Sequence, residues 1–320
     1  MAHRTTIAWT DSTFNGWIGC TAISPGCDNC YAAAMMDTRL HRAKWGPGEP
    51  RVRTSEANWE QMRRWERNHA RFEQEHGRAR RVFCFSQADV FDNEAPIGWF
   101  VDFMELCRTT PHLIKQLLTK RIGNVVRRLQ QALEHVAEQL VATTQLGAEK
   151  ALQTDWQALR DWLIAWLAGR APSHIWIGAT VVDQVEADRD IPKLLRVPAA
   201  LRFLSLEPLL ASVDVSCWLK PRSSAHGEAQ AGAQDLDRGQ DARVVDWVIV
   251  GGESGRKARP MDPLAVAGLR RQCEEADTPM FFKQWGGRTA DAGGCLLDGA
   301  EFKQWPVVLI QTGASLDYSR

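Results

Sequence analysis

Six short apolar runs punctuate the chain, at 81–86 (RVFCFS), 113–120 (LIKQLLTK), 174–181 (HIWIGATV), 201–208 (LRFLSLEP), 246–253 (DWVIVGGE) and 280–286 (MFFKQWG). Most are continuously apolar rather than alternating, the pattern of strands buried on both faces of a parallel sheet. Amphipathic segments lie between them: 96–109, which opens on proline, 183–196 and 262–276. Proline suits the first turn of a helix, where its missing N–H is not needed. Six or seven strand–helix alternations within 320 residues predict one α/β domain, a (β/α) partial or full barrel with parallel strands.

Two segments break this rhythm. Over 122–168, Leu129, Leu133, Val136 and Leu140, then Leu152, Trp156, Leu159 and Leu163, recur at helical spacing on either side of a polar break at Thr143–Gly147. This predicts a helical hairpin inserted after a strand, a packing layer with no chemistry of its own. Residues 221–243 are polar, aperiodic and rich in Gly, Ala and Gln, the composition of a flexible loop.

The C-terminal ends of the runs carry polar side chains: Ser86, Gln87 and Asp89; Thr119, Lys120 and Arg121; Thr180; Ser205 and Glu207; Glu253 and Ser254; Lys283 and Gln284. In a parallel barrel these ends share one rim, where active sites are built. Any one of them alone is equally a strand meeting solvent.

Charge adds little. The chain has 39 basic and 39 acidic residues, so nothing drives it as a whole toward a polyanion. Between 59 and 81, arginines interleaved with Trp59 and Trp65 have the look of a nucleic-acid surface. The glutamates mixed among them fit an ordinary salt-bridged face equally well. No apolar run reaches the roughly 18–20 residues of a membrane span, and the N-terminal stretch lacks the apolar segment of a secretion signal. Of eight cysteines five are scattered, which fits a reducing cytoplasm. Fourteen tryptophans stand against two tyrosines, a skew that composition alone does not account for.

The other three cysteines, Cys20, Cys27 and Cys30, fall within CTAISPGCDNCY (20–31), folded back by a Pro25–Gly26 turn. A closed zinc site requires a fourth ligand. His3, His41 and Cys84 are the candidates, none at finger-like spacing. A four-iron cluster held by three thiolates instead leaves one iron open. S-adenosylmethionine can chelate such an iron through its amino and carboxylate groups, and one electron then breaks the sulfonium bond to give a 5′-deoxyadenosyl radical.

Further segments carry a resemblance: IAWTDSTFNGWIGCTAISPGCDNCYA (7–32), WGPGEPRVRTSEANW (45–59), FSQADVFDNEAP (85–96), LLTKR (117–121), RFLSLEPLL (202–210), VIVGGESGRKARPM (248–261) and FFKQWG (281–286). Together they resemble the phage-associated three-cysteine-motif family, whose reaction is unassigned and which is similar to radical S-adenosylmethionine enzymes. The resemblance implies a barrel of that type with a [4Fe-4S] cluster on Cys20, Cys27 and Cys30 and S-adenosylmethionine as cofactor. Two departures stand out: six residues rather than three in the first gap, and Asn29 where an aromatic usually precedes the last cysteine. Tyr31 either replaces that aromatic against adenine or anchors the next helix in the core.

The remaining roles follow from the rim and the resemblance. Ser86–Asp89 holds the second-strand position, with Asp89 the acceptor for a methionyl amino group. Gly251, Gly252 and Glu253 resemble the short motif that performs this task elsewhere, though here it follows a late strand. Gly251 and Gly252 either let backbone approach a ligand or make a tight turn. Glu207 suits ribose or substrate, and Lys120, Arg121 and Lys283 suit a carboxylate or phosphate. The plain alternative is a ring of Lys–Glu salt bridges. Nucleic acid is the substrate class the phage association and a distant similarity to spore photoproduct lyase imply, with an unidentified electron donor. Two rivals remain: a zinc-stabilised nucleic-acid-binding protein, and a non-catalytic partner of another protein through the 122–168 hairpin.

Overall fold

The structure, a computed structural model, describes residues 5–145, 150–219, 244–289 and 292–307. Seven parallel strands make one sheet in strict chain order: β1 (Ser12–Phe14), β2 (Arg80–Cys84), β3 (Leu113–Thr119), β4 (Ile175–Thr180), β5 (Leu201–Leu206), β6 (Trp247–Gly251) and β7 (Met280–Gln284). Within this sheet β1 pairs only with β2 and β7 only with β6, the outer edge of β7 bonding instead to the antiparallel segment 302–304. The sheet is therefore a half-barrel. All six apolar runs are strands, each ending earlier than its apolar stretch. The residues beyond the strand ends turn over the mouth; Phe85, for example, takes a left-handed φ of 67° and stops β2.

The helices are α1 (Glu56–Arg67), α2 (His69–His76), α3 (Ile97–Arg108), α4 (Val125–Gln145), α5 (Lys150–Leu167), α6 (Gln184–Arg196) and α7 (Pro263–Glu275). Asp183 caps α6 by accepting from the Glu186 N–H, and Asp262 caps α7 by accepting from that of Leu264. The inserted hairpin is α4 and α5. Leu129, Ala132 and Val136 of the first helix and Leu159, Leu163 and Trp166 of the second are buried in the outer core, and the Trp166 indole donates to Pro198 O at 2.7 Å. The hairpin thus packs as an outer layer. Its turn, 146–149, and the loop read at 221–243 lie outside the described residues. No described helix is long and apolar enough to cross a membrane.

Strand alternation splits the core in two. Side chains such as Val82, Leu117, Ile177 and Leu204 join the helices outside the sheet. The concave face instead carries Trp9, Phe83, Trp176, Phe203, Trp247 and Phe281. Trp247 meets Trp176 edge-on at 6.1 Å and stacks on Trp305 at 5.0 Å, while the Arg81 guanidinium lies 3.3 Å over Trp305. Four of the fourteen tryptophans, Trp9, Trp176, Trp247 and Trp305, are in this plug. Gly178 makes room for it, since a Cβ there would sit 2.4 Å from the Phe203 ring. Above the plug the inward positions turn polar: Thr180, Ser205, Glu207 and Lys283 line the mouth.

The opposite end of the sheet holds an unusual buried group. Lys115 is fully buried and donates to Cys107 O and Thr110 O, carbonyls at the C-terminal end of α3 that favour a cation. Burial lowers its pKa to about 8. His174, also buried, lies with Nε2 3.1 Å from Cys107 O; burial, then the Lys115 charge, lowers its pKa to about 3. The unfolded chain takes up this proton near pH 6.5 and the folded chain does not, so stability is full above pH 6.5 and drains as pH falls toward 3. Denaturant titrations should show His174 contributing a loss of about 2.5 kcal/mol between pH 7 and pH 4.5. His174→Gln should flatten the acid limb by that amount; an equally steep limb would contradict the assignment.

Candidate functional site

The chain leaves β1 and stays beside the end of β2. Asn15 binds Gln87 N–H through Oδ1 at 2.8 Å and donates from Nδ2 to Ser86 Oγ at 3.2 Å. Gly19, at φ 108°, pairs with Ala88. This delivers Cys20 to the mouth. From there Ser24 Oγ accepts from Gly26 N–H at 3.0 Å and starts a tight helical turn, Pro25–Cys27, after which Cys30 opens the short helix Tyr31–Ala33. A Cβ on Gly26 would lie 2.7 Å from Val182 Cγ1 and 3.4 Å from Lys120 Cε, so this glycine lets the loop rest on the ends of β4 and β3. The cysteine loop therefore crosses the C-terminal mouth, with Cys20, Cys27 and Cys30 all partly exposed.

Two clamps hold it. On one side the buried Glu253, just past β6, receives Asn29 Nδ2 at 2.9 Å and Arg259 through N–H at 2.8 Å, Nε at 3.0 Å and Nη2 at 2.6 Å. Arg259 also reaches Asp28 Oδ2 at 3.1 Å and Pro25 O at 2.9 Å. Burial raises the Glu253 pKa, and the bonds from Arg259 and Asn29 outweigh it, holding the carboxyl below its usual range. On the other side Arg121 donates to Cys20 Sγ at 3.4 Å, Thr21 O at 2.8 Å and Asp89 Oδ2 at 3.2 Å. Burial, then Asp89, pushes the Cys20 thiol up to about 12, with Arg121 opposing. A metal at Cys20 must displace a proton.

The site residues expected from the sequence divide sharply. Asp89 is committed internally: its carboxylate accepts from Thr119 Oγ1 at 2.7 Å, Phe91 N–H at 3.0 Å, Lys120 N–H at 3.1 Å and Arg121. Glu207 pairs with Lys283 at 2.8 Å and accepts from Ser205 Oγ at 3.0 Å and Trp9 Nε1 at 3.2 Å, so these two form the plain salt bridge allowed for above. Gly251 gives Glu207 its space, since a Cβ there would meet Oε1 at 2.8 Å. Gly252 packs against Trp285 O, where a Cβ would approach to 1.9 Å, so close backbone packing rather than ligand approach accounts for it. Tyr31 is 52% exposed, which removes its reading as a core anchor; its hydroxyl donates to Ser86 O at 2.6 Å. Enclosure of that hydroxyl, then the nearby Cys30, raises its pKa. Lys120 has no carboxylate partner among the described residues and remains the free ammonium beneath the loop.

The zinc alternatives fare differently. Cys84 is fully buried in the outer core beside Cys107 and Lys115, on the far face of the sheet from the cysteine loop. His41 is exposed, and His3 lies outside the described residues. Among the described residues the donor set that converges within 4.8 Å is Glu66, His69 and His112; the three cysteine sulfurs form no such set, either with one another or with a histidine or carboxylate. The arginines of 51–81 are largely paired or stacked: Arg53 with Asp102, Arg67 with Glu60, Arg71 with Glu75, Arg78 with Asp11, and Arg80 over Phe72. That segment is a salt-bridged face.

Sequence reading missed Arg259 and Asn29 as clamps, because their partner Glu253 lies more than 200 residues from Asn29. Neither curated proteins nor solved structures give a match to the chain. Residues 4–306 match the family described as protein of unknown function (DUF5131), and the chain belongs to that family.

Proposed function

We propose that this protein is a radical S-adenosylmethionine enzyme in which Cys20, Cys27 and Cys30 hold a [4Fe-4S] cluster with one iron open. One observation carries the reading. Three thiols on one loop are clamped across the C-terminal mouth of a parallel half-barrel, directly after its first strand. The donor set suits the group: thiolates are the usual cluster ligands, and a three-thiolate set leaves a coordination position for a cofactor. Bound there with S-adenosylmethionine, the cluster supplies the one-electron cleavage that yields a 5′-deoxyadenosyl radical.

The chain's own residues then have distinct tasks. Lys120, unpaired beneath the loop, meets a carboxylate. Tyr31, half exposed one residue past Cys30, offers a face for a base. Arg121 sets the charge beside Cys20, and Asp89 acts through Arg121 as a positioning residue. Glu207 and Lys283 hold each other and shape the mouth's inner wall. Nucleic acid is the proposed substrate class.

Anaerobic purification with iron and sulfide counting tests the first step. About four irons per chain, and release of 5′-deoxyadenosine on reduction with S-adenosylmethionine, are expected. Stoichiometric zinc with a colourless protein would instead select the zinc-stabilised reading.

A further inference from the structure

The loop that clamps the cysteines does more on its other side. Residues 254–259 read SGRKAR, and their neighbours across the mouth's edge are Gly287 and Arg288. The two loops are fixed by backbone bonds: Gly255 N–H to Gly287 O at 2.9 Å, Gly287 N–H to Glu253 O at 2.8 Å, and a bridge between Ser254 and Gly287. Gly255 at φ 136° and Gly287 at φ 124° adopt conformations other residues avoid, and so bring the two backbones together. Between them lies a concavity of about 400 Å³, lined by Gly255, Arg256, Ala258, Gly287 and Arg288.

Its charge is what singles it out. Several helical cations are matched, as Arg67 with Glu60, Arg71 with Glu75, Arg189 with Asp190 and Arg270 with Glu274. Arg256, Lys257 and Arg288 are exposed and have no carboxylate partner among the described residues. In a chain of zero net charge, three uncompensated cations on locked loops are a local anion field. The same loop touches the cysteine loop, since Lys257 O accepts from Asn29 at 3.1 Å, next to Cys30. Arginine forks match phosphate oxygens, and small residues between them let the phosphate come close.

We infer that Arg256 and Arg288 form a phosphate-binding notch that holds the substrate's phosphate group at the edge of the cysteine-bearing mouth. The inference rests on the proposed placement of chemistry at that mouth and specifies how substrate is anchored there. A phosphate here comes either from a nucleic-acid backbone or from a small nucleotide; Lys257 and Lys120 extend the field toward the mouth.

The test uses the full chain, a fluorescent single-stranded oligonucleotide followed by anisotropy, and a nucleoside monophosphate as competitor. Arg256→Gln/Arg288→Gln should weaken oligonucleotide binding about tenfold and reduce the log–log salt slope by about 1.4, two contacts at about 0.7 each. Arg270→Gln, at a paired arginine of α7, should change neither. A monophosphate that competes on a mass basis with the oligonucleotide, and loses affinity in the double variant, assigns the notch to a small nucleotide. Unchanged affinity in the double variant, an equal loss in Arg270→Gln, or no binding of either probe would overturn the notch. Iron content, measured on the same double variant, should stay at the wild-type level. If wild type holds no iron but binds oligonucleotide through these arginines, the cluster reading fails and the notch stands.

Discussion

Cys27→Ala should take the protein from about four irons per chain to essentially none, with loss of its brown colour, while leaving the fold intact. The separation follows from where Cys27 sits. It closes a turn on the mouth, and its backbone is bonded on both sides: its N–H donates to Ser24 O at 2.8 Å and its carbonyl accepts from Cys30 N–H at 3.2 Å. Alanine keeps both, so against iron-free wild type the unfolding free energy from urea titration should change by no more than about 0.5 kcal/mol, as for other surface substitutions. Cys107→Ala offers the opposite pattern. Cys107 is fully buried in the outer core, where truncation leaves a void and costs roughly 1–2 kcal/mol, yet iron should be retained. If Cys27→Ala keeps its iron, or Cys107→Ala loses it, the cluster does not reside on the mouth loop.

How much of this was legible follows from what each feature needs. A strand buried on both faces writes a continuous apolar run, and β2 to β7 were each readable for that reason. β1 was not, because three residues, Ser12–Phe14, are too few to show any period. The caps Asp183 and Asp262 lie at the residues that opened two of the helical readings. The hairpin's stripes were readable as well, since Leu129, Val136, Leu159 and Leu163 are its buried faces. The site was legible as a list of residue types and illegible as a set of pairings. Glu207 and Lys283 stood out as rim charges, but only the folded sheet, with β6 between them, brings Glu207 just past β5 to 2.8 Å from Lys283 of β7. Gly251 and Gly252 read equally as ligand-approach or tight-turn glycines, and their neighbours turn out to be Glu207 and Trp285. Pairing across long sequence separations leaves no periodic trace, which is also why Arg259 passed unnoticed.

Arg121→Leu should cost about 3–5 kcal/mol of stability, the largest loss expected from any single change at the mouth. The arginine is nearly buried, and so are its acidic neighbours: Asp89 at 3.2 Å, and Asp92, whose Oδ1 is 3.9 Å from Nε. Asp92 has a second partner, since Arg51 Nε meets its Oδ2 at 2.7 Å with both side chains fully enclosed. Asp89 has no such reserve of charge; without Arg121 it keeps only neutral donors, from Thr119, Phe91 and Lys120 N–H. An enclosed carboxylate facing only neutral donors is the costly state. Removing that charge as well should therefore recover stability. Arg121→Leu/Asp89→Asn should be more stable than the sum of its single variants predicts, by at least about 1 kcal/mol, because contacting groups in one network do not add. Urea titrations of the four proteins close that cycle. Additive losses would mean that Asp89 and Arg121 act separately, and Asp89 would then have no part in positioning Arg121 beside Cys20.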